Sequence, residues 1–172
     1  MDKSIQHDGE KYRYRMLDYK ELILLISSNN DISTQIDDLY RILKPGYKYP
    51  TISFLKGGVI LESRNQIYAI VLVEKNDEIV GICRVHEEKT SRKDNRVVNI
   101  GSVVISPTHR RKNLCSIMLK NTVELLNNMD RIQIIVNKNN PNALRCYTSV
   151  GFKQVGHIIY DGEEHHELVY SQ

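Results

Sequence analysis

Apolar positions along this chain recur at two spacings, and the switches between them lay out a mixed fold. Tyr12 to Leu17 alternates as a strand does. Asp18 stands where it can cap a helix that gathers Leu22, Ile23, Leu25 and Ile26 on one side. Asp31-Ile-Ser-Thr34 opens a second helix carrying Ile36, Leu39, Tyr40 and Leu43, and Pro45-Gly46 stops it. From Tyr49 to Asn65 the pattern is weak, and a short helix broken near Gly57-Gly58 is the expectation. Ile67 to Glu74 and Glu78 to Glu87 are β-rich runs joined by Lys75-Asn76-Asp77, a hairpin signal. A charged loop, Glu88 to Arg96, precedes Val97 to Ile105, whose near-continuous apolar run suits the middle of a sheet.

Pro107 ends that strand, and Arg111 to Asn128 has helical spacing in Leu114, Ile117, Met118, Leu125 and Leu126. Arg131 to Val136 reads as another buried strand. Pro141 suits the first turn of a helix that runs to Val150 and stops at Gly151. A last hairpin, Gln154 to Tyr160 and Glu164 to Tyr170, turns at Asp161-Gly162. The order is β-α-α, a hairpin, β-α-β-α, then two strands. That predicts an α+β fold around a mixed sheet. Residues 1–11 are expected to be a loose arm, and 12–172 one domain.

Composition narrows the functional classes. The chain has 172 residues, 41% of them hydrophobic and 26% charged, an ordinary balance for a soluble globular protein. No apolar run approaches a membrane span, and the polar N-terminus has no signal-peptide core, so a cytoplasmic protein that does not engage the membrane is expected. The three cysteines, Cys83, Cys115 and Cys146, lack metal-type spacing, and their odd number speaks against a disulfide framework. Cys115 and Cys146 read as packing residues, and no metal is expected. A formal charge of +3 is too small to argue for nucleic acid, but it suits an anionic ligand if the charge is concentrated.

One such place is the turn after Ile105, where Arg110, Arg111 and Lys112 lead into a helix. The first N–H groups of a helix are unpaired and its dipole favours negative charge there, so a strand entering a helix through a basic turn can hold a phosphate. A solvated basic turn is the simpler alternative. Tyr147 lies on the later helix, four residues after Ala143 and on the same face. A tyrosine can protonate a thiolate at neutral pH, although taken alone Tyr147 reads as a packing residue.

Together the two segments resemble the GNAT superfamily of N-acetyltransferases. Val103-Val-Ile105-Ser-Pro-Thr-His-Arg110-Arg-Lys-Asn-Leu-Cys115 is similar to the family's first motif. Asn140-Pro-Asn-Ala143, with Tyr147 and Gly151-Phe152, is similar to its second. The likeness runs from about Ile67 to the end. It implies a mostly antiparallel sheet flanked by helices and acetyl-CoA as donor. Backbone groups of Val103, Val104 and Ile105 would hold the pantetheine arm, and the segment Arg110, Arg111, Lys112, Asn113, Leu114, Cys115 and Ser116 the pyrophosphate. Asn140 would touch the arm, and Tyr147 would be the general acid.

The chain departs from the family pattern at three places: Asn113 replaces a glycine, Cys115 a smaller residue, and Asn99 a glutamate base on the central strand. Glu87, Glu88, Glu164 and His165 are the remaining candidates for a base. The acceptor implied is the primary amine of a small molecule. A weaker likeness to glucosamine-6-phosphate N-acetyltransferases, in Arg110 to Cys115 and the charged loop, would bring Arg92, Lys93 or Arg96 to a sugar phosphate. A peptide acetyltransferase and a non-catalytic acyl-CoA-binding module are the alternatives. By analogy with relatives, a homodimer is expected.

Overall fold

The computed structural model describes residues 1–43, 66–88, 96–160 and 162–170. The expected stop at Pro45-Gly46, the short helix between Tyr49 and Asn65, and most of the charged loop lie outside them. The elements are β1 (Asp2–His7), β2 (Glu10–Leu17), α1 (Tyr19–Ser28), α2 (Asn30–Leu43), β3 (Gln66–Lys75), β4 (Glu78–Glu88) and β5 (Val97–Ile105). A short 3-10 turn (Pro107–His109) leads to α3 (Leu114–Leu125), β6 (Arg131–Asn137), α4 (Pro141–Val150), β7 (Phe152–Tyr160) and β8 (Glu163–Tyr170). All eight strands form one sheet in the order β1-β2-β3-β4-β5-β6-β8-β7. Only β5 and β6 run parallel, so the α+β class and the mixed, mostly antiparallel sheet are as expected.

Local chemistry explains the boundaries. Asp18 caps α1 in a reciprocal box with Glu21, satisfying donors at both residues. Asn76 and Asp77 both take positive φ, the geometry of a tight hairpin turn. Gly151 ends α4 at φ 116°. Residues 1–11 differ from expectation. They supply β1 and the start of β2, paired from Asp2↔Arg15 to His7↔Glu10 around Asp8-Gly9, both at positive φ. Polar side chains concealed the strand, because an edge strand with charged residues carries little apolar alternation. The helix expected from Arg111 starts only at Leu114, because Arg111 and Asn113 are left-handed (φ 62° and 56°).

Two cores fill the two faces of the sheet. On one side α1 and α2 bury Leu22, Ile26, Ile36 and Leu39 against Ile70, Leu72, Ile82 and Val104. On the other, Leu114, Met118, Leu119 and Val123 of α3 and Tyr147 and Val150 of α4 cover Val71, Val85, Val98, Ile100 and Ile134. Among the described residues no helix is long and apolar enough to cross a membrane.

Candidate functional site

The site begins where the parallel pair comes apart. β5 and β6 are in register only from Val97↔Arg131 to Ile100↔Ile134, and beyond these residues they separate. A bulge on β5 accompanies the split. Arg84 pairs with Gly101 and Ile82 with Val104, so between these pairs one residue of β4, Cys83, faces two of β5, Ser102 and Val103. Ser102 in the bulge has φ 52°. The extra residue reverses the alternation, so that Val103 and Ile105 face α3 while Val104 joins the opposite core. Ser106 N–H donates to the Val80 carbonyl at 2.8 Å. Antiparallel alternation then turns the backbone groups of Ile105 away from β4, towards the gap that β6 has left.

A cleft of about 710 Å³ passes through this gap. From the α4 side it is lined by Ala143, Tyr147 and Asn140. Tyr147 is only 6% exposed, its ring 6.4 Å from that of Phe152, and burial pushes its phenol well above the usual range. It therefore keeps its proton at neutral pH. Asn140 caps α4 by accepting the Ala143 N–H at 3.1 Å, so its side chain anchors the helix that carries Tyr147.

The other wall mixes apolar residues, among them Ile135 and Ile158, with a polar group. Arg84, His86 and Glu88 of β4, Asn99 of β5, Gln133 of β6, and His165 and Glu167 of β8 make up that group. Several are direct neighbours across the sheet: His86 pairs with Asn99, and Asn99 with Gln133. Asn99 and Gln133 both donate to Oε1 of Glu88, at 2.6 and 3.1 Å. Burial, with the Arg84 charge adding to it, lowers the His86 imidazole to about 4, so it is neutral at pH 7. Of the candidate bases, Glu88 and His165 line the cleft. Glu87 is paired with Arg96 at 3.1 Å and Glu164 with Lys138 at 2.9 Å. Sequence reasoning missed His86, Gln133 and Glu167. For His86 and Gln133 the signal was present as polar positions interrupting otherwise apolar strands; Glu167 sits in a strand that is itself mostly polar and gave none.

A second cleft, about 870 Å³, opens at the start of α3. It is lined by Ile105, His109, Arg110, Arg111, Asn113, Leu114, Cys115 and Ser116, and across from them by Asn142, Arg145, Cys146 and Ser149 of α4. Three arginines and no carboxylate line it, and the unpaired amides at the start of α3 add to the positive field. Arg110 Nε also donates to the Ile105 carbonyl at 3.1 Å, tying the basic turn to the open strand edge. Arg145 was not anticipated. Lys112 is placed differently from expectation: its ammonium sits 3.4 Å from Glu10, its carbonyl bonds His7 Nε2 at 2.7 Å, and it does not line the cleft. The N-terminal hairpin has drawn it aside.

The cysteines also depart from expectation. Cys115 and Cys146 are joined in a disulfide between α3 and α4, with Cα atoms 6.3 Å apart. Distance along the chain, 31 residues, gave no sign of it; the meeting of two helices does. Cys83 stays a buried free thiol, raised by burial to about 12.

The parallel pair thus opens over a buried tyrosine, beside a basic helix start. Residues 36–152 match the family model described as the acetyltransferase (GNAT) family, and the chain belongs to that family. No curated protein matches it in sequence. Solved structures share its fold at low identity. The aminoglycoside acetyltransferase AAC(6')-Ib with coenzyme A is 17% identical over 94% of this chain and 95% of its own, with a TM-score of 0.67. The NatC complex bound to Gag peptide and CoA is 15% identical over 94% and 98%, TM-score 0.67. A spermidine N-acetyltransferase chimera from Vibrio cholerae and hSSAT is 16% identical over 92% and 94%, TM-score 0.63.

Proposed function

We propose that the protein transfers the acetyl group of acetyl-CoA to a primary amine of a small polar molecule. The observation that carries this reading is the through-sheet cleft, with a buried protonated tyrosine on one side and a partly polar wall on the other. Amides at the start of α3, with Arg110, Arg111 and Arg145, would bind the pyrophosphate. The backbone of Val103 and Ile105 would extend the sheet onto the pantetheine arm. Tyr147 would give its proton to the departing thiolate.

Glu88 supplies the carboxylate that Asn99 replaces on the central strand. It stands one strand away, and Asn99 itself holds it. With both amides on Oε1, Oε2 remains to receive the substrate ammonium. Glu88 on the wall favours a cationic amine over a sugar phosphate, whereas Glu167 there is paired with Arg131 at 2.9 Å. Arg96, one of the groups proposed for such a phosphate, is paired with Glu87.

The test is thiol release from acetyl-CoA across a panel containing a polyamine, an aminoglycoside, glucosamine 6-phosphate and a peptide, repeated with Tyr147→Phe. Turnover on a cationic small amine that falls at least tenfold in the variant is expected. Turnover on glucosamine 6-phosphate or the peptide alone would replace the substrate reading. Binding of acetyl-CoA without turnover on any amine would favour a non-catalytic module.

A further inference from the structure

We propose that Cys115 and Cys146 form a thiol–disulfide site that sets the affinity of the cleft for its donor, tight when oxidised and weaker when reduced. The proposal rests on reading the α3–α4 cleft as the donor site. Cys115 is the second residue of α3, within the first turn, whose amides have no partner inside the helix. Cys146 is on α4, one residue before Tyr147. Both residues line the outer cleft and both are half-buried, which puts the pair at the edge of the cleft. Beside the disulfide lie Ser116, buried, and Ser149, exposed, whose hydroxyls are 2.9 Å apart, with Ser116 Oγ also 3.8 Å from Cys146 Sγ. Past this seam α3 packs on β3, β4 and β5, and α4 on β7.

The ends of a helix depend on outside restraint more than its middle does. Asn113 before α3 is left-handed and makes no side-chain cap bond, so the disulfide is the covalent restraint on that turn. With it closed, the amides that would meet a pyrophosphate are held before the ligand arrives, and less ordering is left for binding to supply.

Opening the bond needs a dithiol. One of its sulfurs, as thiolate, attacks a cysteine sulfur. A mixed disulfide forms and the other cysteine leaves as a thiolate. The second thiol of the reagent then displaces the first cysteine. A cyclic disulfide departs, and the reagent's two protons end on Cys115 and Cys146. The two sulfurs must then separate to non-bonded contact, which loosens the first turn of α3 from α4.

The experiment is calorimetric titration with acetyl-CoA, whose thiol is masked, of the whole protein after oxidation and after dithiol treatment and desalting. Thiols are counted in denaturant. One thiol in the oxidised protein, three in the reduced, and at least fivefold tighter binding when oxidised are expected. The double variant Cys115→Ser/Cys146→Ser should bind as the reduced protein does and ignore the redox treatment. Equal affinity in both states, or three thiols after oxidation, overturns the proposal and leaves the donor cleft standing. Absence of acetyl-CoA binding in both states overturns the donor-cleft reading and this proposal together.

Discussion

Glu88 is held by two amides on different strands, so its carboxylate is placed before any substrate arrives. A charge-assisted bond to an ammonium contributes about 1.5–3 kcal/mol. Glu88→Gln should therefore raise the amine KM by roughly tenfold or more while acetyl-CoA binding stays the same; Asn99→Ala should give a smaller rise. Steady-state kinetics with the best amine of the panel checks both. His86 makes a second prediction. Its imidazole titrates near 4 in the folded protein against 6.5 when free. Between those values the unfolded chain holds more protons. Stability is thus full above about pH 6.5 and declines as pH falls towards 4, by an amount on the order of 3 kcal/mol. His86→Gln should flatten that slope in urea denaturation at pH 7.5 and 4.5. Tyr147 was legible as a residue because a motif framed it. Glu88 stood among four candidates that spacing alone leaves equal, because its bonds to Asn99 and Gln133 depend on how β4, β5 and β6 lie side by side.

At the scale of elements, the bulge at Ser102 is the device that frees the β5 edge. A left-handed residue other than glycine costs about 1–2 kcal/mol, more when β-branched. Ser102→Gly should keep or raise the melting temperature, and Ser102→Val should lower it and weaken acetyl-CoA binding. Thermal melts with and without acetyl-CoA would show both effects. The disulfide joins helices far apart in sequence, and its removal in Cys115→Ala/Cys146→Ala should cost about 2–4 kcal/mol in chemical denaturation. Strand β5 and helix α4 were readable to the residue, because an apolar run and a Pro/Gly frame mark them. The bulge was not, since a serine at positive φ leaves no signature in composition. Nor was the disulfide, which depends on how α3 and α4 meet.

For the molecule as a whole, the N-terminal hairpin is part of the site's support. Tyr14 is fully buried with its hydroxyl 3.0 Å from Thr122 of α3, Lys3 reaches Asn121 of the same helix at 2.7 Å, and Glu10 holds Lys112 just before it. Polar side chains carry these links, which is why an apolar pattern did not reveal them. The sheet's architecture has a consequence of its own. After Ile100 and Ile134 the parallel ladder is unfinished, and the amides facing the gap have no strand to answer them. In the free protein, the Ile105 amide should exchange its hydrogen for deuterium at a rate closer to that of a loop than of a central strand, while Val98 and Ile100 stay protected. With acetyl-CoA bound, that exchange should slow. The ligand would then serve as the missing rung, and the protein's resistance to unfolding would follow the concentration of free donor around it.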